Sequence, residues 1–452
     1  MTRKPLIFAA LLAAPLPALA QGAPSPAPEA AVSQERLHKD VERLVAFGTR
    51  HTLSDQQSKK RGIGAARRWA EAEFRKTSKA CGNCLQIVLP EKMVTGPRIP
   101  TPVRLVDVVA IQRGTERPNE VVIVQGHIDS RGSDVMDAKV DAPGANDDGS
   151  GTTLVLEAAR VLAGRKFAGT IVYAVLSGEE QGLFGGQLLA DYAAQQGWTV
   201  KAVLNNDIVG GTHGSDGVVD DTHVRVFSEG PRADADDKLR AAARRDGGEN
   251  DSPSRNLSRF VAGLAGDKDG DLAVRQVWRA DRMGRGGDHL PFLDKGFPAI
   301  RFSVAIEDYE HQHQDVRTEN GVKFGDTIDE MDFPYLAKVV KLNVRTLAAL
   351  ARAPMPPATT AQAAVQTFTD VKWDAVPGAV GYTVWRRRTD EANWSEPLIA
   401  DAAATSVRLA GVRGDDWVFG VSARAADGSE SPVASAVPGG AFAPLAATKS
   451  VP

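Results

Sequence analysis

Val121-Val122-Ile123-Val124-Gln125-Gly126-His127-Ile128-Asp129-Ser130 decides how this chain folds. The four apolar residues read as a buried strand, and residues able to do chemistry follow directly at its end. The arrangement recurs downstream. Residues 170–176 form a second apolar run, which ends in Ser177-Gly178-Glu179-Glu180-Gln181-Gly182. Between them lies Gly144-Ala145-Asn146-Asp147-Asp148-Gly149-Ser150-Gly151, which leads into a helix carrying Leu154, Ala158, Val161 and Leu162. A short strand at residues 201–205 ends at Asn206-Asp207. Strands alternating with helices imply an α/β domain, a mostly parallel sheet with helices on both faces. Ligands bind such sheets outside the carboxyl ends of the strands.

Working outward, residues 33–47 have helical apolar spacing with Ser33 as N-cap, and residues 61–78 form a second amphipathic helix. Residues 105–112 and 121–126 read as a pair of adjacent strands. A helix at 183–195, a strand at 223–228, helices at 233–245 and 254–265, a strand at 299–304 and a long helix at 333–352 complete the unit. Residues 353–364 have the composition of a linker. Beyond it, short strands at 366–374, 380–388, 405–410 and 415–424 are separated by Pro377-Gly378 and Asp427-Gly428. That spacing predicts a small all-β sandwich over 365–445.

The 452 residues carry a net charge of −3, which gives no basis for a nucleic-acid or anionic-membrane partner. Residues 1–20 read as a secretory signal: Arg3 and Lys4, an apolar stretch from Leu6 to Leu16, and Ala18-Leu19-Ala20 as the cleavage site. Export to the periplasm or beyond follows, with residues 21–32 as a flexible leader. No other apolar run is long enough to span a membrane. The two cysteines, Cys81 and Cys84, suit a small disulfide-closed turn in an exported chain.

Cleaving an amide requires an activated water and a stabilised oxyanion, and two metal ions a few ångströms apart supply both. His127, one of Asp147 and Asp148, one of Glu179 and Glu180, Asp207 and a late histidine form a plausible ligand set. Three carboxylates and a hydroxide balance two divalent cations. The other glutamate is then a candidate general base. Asp129, two residues after His127, is placed to accept a hydrogen bond from the other imidazole nitrogen. Taken singly, an Asp-Asp-Gly is a turn and a Glu-Glu pair a solvated surface. Their common position past successive strands points to a site.

The set at 126–130 (GHIDS), 144–151 (GANDDGSG), 177–182 (SGEEQG), 205–207 (NND) and 286–292 (GGDHLPF) resembles the di-zinc exopeptidases of metallopeptidase family 28. Bacterial leucyl-type aminopeptidases are among these, and the resemblance covers residues 33–352. It implies an eight-stranded mixed sheet between helices and two zinc ions. By motif position His127 and Asp207 bind opposite metals, Asp147 bridges, Glu180 is a ligand, and Glu179 is the base acting on a metal-bridging water. The last ligand falls within residues 308–315. His313 fits the downstream spacing, and His311 stays open. Asp288 is either part of the site wall or the N-cap of a following helix. Where some members have an oxyanion-steadying tyrosine, this chain has Gly284 and Arg285, with Arg285 or Tyr309 as stand-ins.

The resulting expectation is an exported aminopeptidase acting on peptide N-termini. A carboxypeptidase, with Arg282 or Arg285 receiving the terminal carboxylate, and a glutaminyl cyclase are alternatives on the same site. A non-catalytic surface-binding protein is the rival from another class. Residues 371–373, 378–386 and 419–423 resemble a fibronectin type III module, with Trp373 and Tyr382 as packing residues.

Overall fold

The computed structural model describes residues 27–266, 270–401 and 403–445. The signal-like segment at 1–20 and residues 21–26 of the expected leader lie outside the described residues. Eight strands form the central sheet: β1 (Gln86–Val88), β2 (Val108–Gln112), β3 (Arg117–His127), β4 (Gly169–Leu176), β5 (Thr199–Asn206), β6 (His223–Phe227), β7 (Ala273–Val277) and β8 (Ala299–Val304). Their spatial order is β1-β2-β4-β3-β5-β8-β6-β7. The run β4-β3-β5-β8 is parallel, and β2 and β6 flank it antiparallel. The expected α/β class with a mostly parallel mixed sheet is therefore present.

Side chains alternate across this sheet with the two-residue period of a strand. Val122 and Val124 of β3 pack into one core, under helices α1 (Gln34–Val45), α2 (Gly62–Ala80), α3 (Gly149–Leu162) and α8 (Phe333–Arg352). Val121 and Ile123 pack into the other, under α4 (Phe184–Gln195) and α7 (Leu290–Asp294). Helices α5 (Asp237–Asp246) and α6 (Pro253–Leu264) lie towards the C-terminal part. Ser33 caps α1 by accepting the amide of Arg36 at 3.2 Å.

Three expectations need correction. Residues 105–112 and 121–126 are not adjacent strands, because β4 lies between β2 and β3 and pairs with both. The first stretch also breaks at Asp107: Ile99–Val106 forms a hairpin with Glu91–Gly96, and only the part after Asp107 enters the main sheet. At the end of the expected leader, Pro28–Ala31 forms a short 3-10 helix, and Glu29 pairs with Arg345 of α8 at 3.1 Å.

The C-terminal part is a β-sandwich of a three-stranded and a four-stranded antiparallel sheet. The expected linker contributes to it, since Thr359–Gln362 pairs with Phe368–Trp373. Trp373 and Tyr382 are buried in its core with ring centroids 5.5 Å apart. The sandwich is fastened to the α/β unit by a buried ion pair, Arg387 to Asp251, at 2.7 and 2.8 Å. Asn256 of α6 adds a bond to Ser435 at 2.7 Å. Cys81 and Cys84 are disulfide-bonded.

Candidate metal centre

The parallel strands β3, β4, β5 and β8 end on one edge of the sheet, and the site is built there. β3 ends in His127, β4 leads into Ser177-Gly178-Glu179-Glu180, β5 leads into Asp207, and the chain after β8 carries His313. The N-terminus of α3 drops onto the same edge and brings Asp147. Its close approach requires small residues. A Cβ on Gly151 would meet the carbonyl of Asn206 at 2.1 Å, and one on Gly126 would meet the carbonyl carbon of Gly151 at 2.6 Å.

Of three groups of possible ligand atoms among the described residues, two form here, His127-Asp147-Asp207 and Asp147-Glu180-His313, the atoms of each lying within 4.8 Å of one another. Asp147 belongs to both. Its Oδ1 is 3.2 Å from His127 Nε2, and its Oδ2 is 2.8 Å from His313 Nε2. His313 Nε2 also lies 3.2 Å from Glu180 Oε1, and His127 Nε2 lies 3.8 Å from Asp207 Oδ1. His127 and Asp207 therefore fall in one group, which corrects the expectation that they bind opposite metals: the ends of β3 and β5 are adjacent on the sheet edge. His311 stands apart from both groups, between Asp308 at 2.8 Å and Glu330 at 3.3 Å.

The aspartate doublet divides its work. Asp148 faces away from the site and caps α3, accepting the amide of Gly151 at 2.8 Å. Asp147 is aimed by Asp326, whose carboxylate accepts the amides of Asn146 and Asp147 at 2.8 and 2.6 Å. The peptide bond between Asp147 and Asp148 is cis. Arg50, fully buried, ties the exit of β3 to this loop by donating to the carbonyls of Ile128 at 2.6 Å and Gly144 at 2.8 Å.

Asp129 acts differently from the expectation. The nearest acceptor to His127 Nδ1 is the Asp129 carbonyl at 3.1 Å, while its carboxylate oxygen is 3.7 Å away. The carboxylate instead accepts the amides of Gly178, Glu179 and Glu180 and the Thr52 hydroxyl, at 2.9 to 3.3 Å. Asp129 thus fixes both the imidazole tautomer, through its backbone, and the glutamate loop, through its side chain.

Electrostatics follow from enclosure. Burial alone would raise the Asp147 carboxyl, but His313 and His127 hold it well below the usual carboxylate range. Burial opposes protonation of His313, yet Glu180 and Asp147 lift it to about 10. For Glu179, burial pushes the carboxyl well above its usual range; His127 opposes this, and Glu180 and Asp207 reinforce it.

Asp288 is buried, and its Oδ1 accepts the amide of Gly186 in the first turn of α4 at 3.0 Å. It is not the N-cap of α7, a position His289 occupies without a side-chain cap. Burial raises the Asp288 carboxyl to about 7. Tyr309 is 61 % exposed. Its amide donates to Ser215 at 2.6 Å, and its hydroxyl has no hydrogen bond among the described residues. Arg285 reaches the site edge through Gln312, which donates to Asp147 Oδ2 at 3.2 Å.

Two arginines were not foreseen. Arg131 lies 2.9 Å from Glu180 Oε2 and 2.6 Å from His313 Nδ1. Arg301, fully buried under the site, lies 3.0 Å from Asp207 Oδ1. A charged residue in the middle of the apolar run Ala299-Ile300-Arg301-Phe302-Ser303-Val304 was the available signal. A buried cation needs a buried partner.

The donor set fits zinc, which takes imidazole nitrogen and carboxylate oxygen. Glu180 Oε1 is buried without a hydrogen-bond partner, as a ligand oxygen aimed at an ion would be. Fold and donor set together define a metal-dependent hydrolase.

Comparison with known proteins agrees. Residues 107–323 match the model of Peptidase family M28. The chain is 41 % identical over 413 residues to a "Probable zinc metalloprotease" of Leptosphaeria maculans, covering 90 % of this chain and 95 % of that one. It is 41 % identical over 420 residues to one of Pyricularia oryzae, covering 90 % and 83 %. The chain belongs to peptidase family M28 and is a zinc metallopeptidase. Among solved structures, the LapA aminopeptidase of Legionella pneumophila shares the fold with a TM-score of 0.50 at 19 % identity, over 71 % of this chain and 72 % of that one. LapB from the same organism has a TM-score of 0.50 at 18 % identity, covering 71 % and 73 %.

Proposed function

We propose that this chain is an exported aminopeptidase that holds two zinc ions and removes the N-terminal residue of peptides. The observation that carries the two-ion reading is Asp147, whose two oxygens face two separate ligand groups. His127 and Asp207 would hold one ion, Glu180 and His313 the other, with Asp147 between them. When bound, the ions supply Lewis-acid activation of water and of the scissile carbonyl, and their charge favours the ionised form of Glu179. Glu179 takes the proton of the attacking water and hands it to the leaving amine. Asp129 holds the glutamate loop in place for that transfer.

The cations suited to a C-terminal carboxylate are already engaged, which supports the amino-end reading. Arg282 pairs with Asp281 at 3.0 Å and Glu307 at 3.3 Å, and Arg285 pairs with Glu307 at 2.8 Å. The exported location rests on the N-terminal sequence. A panel of peptides with free and blocked N-termini, with zinc measured on the same sample, tests this reading. Cleavage from free N-termini only, with zinc bound, is expected. Cleavage of N-blocked peptides from their C-termini would contradict it.

A further inference from the structure

Each half of the proposed metal centre has an arginine on one of its carboxylates, and the two arginines differ. Arg301 stands on the Asp207 side, 3.0 Å from Asp207 Oδ1. It is fully buried and has a second carboxylate of its own, Asp281, at 3.2 Å, so its charge is shared. Arg131 stands on the other side, with Nε 2.9 Å from Glu180 Oε2. Its remaining contacts are the Gly132 carbonyl at 3.1 Å and His313 Nδ1 at 2.6 Å. Glu180 is the only carboxylate that Arg131 pairs with among the described residues.

That half is affected in three ways. Glu180 is divided, because Arg131 takes Oε2 while the buried, unpartnered Oε1 faces His313 Nε2 at 3.2 Å. One oxygen of Glu180 is thus left for an ion. A guanidinium on a ligand carboxylate also cancels part of the negative charge that draws a divalent cation, and it repels that cation directly. Finally, His313 can ligate through Nε2 only while its hydrogen sits on Nδ1. A guanidinium donates hydrogens and accepts none. Arg131 must therefore release Nδ1 before Nε2 can serve as a ligand, and its contact with His313 competes with zinc.

Against these effects stands the help that Arg131 gives in placing Glu180. That help is duplicated. The amide of Glu180 donates to the Asp129 carboxylate at 3.2 Å, and its carbonyl accepts from Arg98 at 2.9 Å. The backbone of the ligand is fixed without Arg131, which leaves charge and competition as the larger effects.

We propose that Arg131 is a positioning residue that restricts Glu180 to one oxygen and makes the ion at Glu180 and His313 the more weakly held of the two. The proposal rests on the two-ion reading above. The test strips metal from the full chain and measures stepwise zinc binding against a graded series of competing chelators, at fixed pH and salt, to obtain one constant per ion. Arg131→Gln and Arg131→Met both remove the charge, and melting of the metal-free chains checks that each is folded; either variant suffices. In them the weaker of the parent's two constants is expected to tighten about tenfold or more, and the stronger to stay within about twofold. Arg131→Lys, which keeps the charge, is expected to stay closer to the parent than to the neutral variants. A weaker constant that is unchanged or loosened by loss of the charge would overturn the proposal and make Arg131 a support for Glu180 alone. Equal tightening of both ions would overturn it as well. A parent chain that binds one zinc ion at saturation would contradict the two-ion reading itself, whereas two ions with unmoved constants would strike only the role of Arg131.

Discussion

The carboxylate of Asp148 accepts the backbone amide of His127 at 3.0 Å, so the second aspartate of the doublet positions a proposed metal ligand without facing the metals. It also caps α3 at Gly151. The two aspartates should therefore fail differently. Asp148→Ala removes an N-cap and leaves a buried amide unpaired, a loss of about 1–3 kcal/mol that should appear in thermal unfolding even with chelator present. Asp147→Asn should instead abolish the rise in melting temperature that zinc gives the parent chain. Equal behaviour of the two variants in both conditions would refute the division of roles.

The Arg387–Asp251 pair couples the β-sandwich to the α/β unit through a fully buried contact. Removing one partner of such a pair leaves an uncompensated charge, at a loss of about 3–5 kcal/mol. Arg387→Ala is expected to lower the midpoint of urea unfolding or to split the transition in two. An unchanged single transition would show that the two parts are not energetically joined there.

Glu229, outside the metal centre, gives a pH signature. Burial raises its carboxyl to about 8, against the opposing amide of Ala233. Its folded value lies above its unfolded one, so the stability it contributes is full at low pH. That contribution is lost progressively as pH rises from about 4.5 through about 8. Glu229→Gln removes this titration. The variant should gain stability relative to the parent as pH rises across that window, read as the difference in melting temperature between acid and mildly alkaline buffer. A constant difference would contradict the shifted carboxyl.

The candidate ligand positions were legible because each follows an apolar run, and a strand end in an α/β sheet is where a site forms. His127, the Glu179-Glu180 pair and Asp207 are picked out as candidates this way, and the family resemblance selects Glu180 as the ligand. The choice of Asp147 over Asp148 rested on the family pattern alone, since adjacent residues share one local sequence; the α3 cap made by Asp148 is the geometric reason the two differ. Strand neighbours were not legible either. The apolar runs at 108–112 and 121–126 fit side by side by proximity in the chain, yet β4 inserts between them. Arg131 and Asp326 escaped notice because their roles exist only after distant segments meet. Asp326 grips Asn146 and Asp147 from 180 and 179 residues away. The strand at Thr359–Gln362 was hidden by the Pro- and Ala-rich composition around it.

The most direct measurement is zinc content and turnover of Glu179→Gln alongside the parent chain, on a peptide with a free N-terminus. Two zinc ions per chain in both proteins are expected, with kcat in the variant lower by about 10²–10⁴-fold. A variant that keeps most of its turnover, or a parent chain that binds a single zinc ion when saturated, would contradict a two-zinc peptidase with Glu179 as its base.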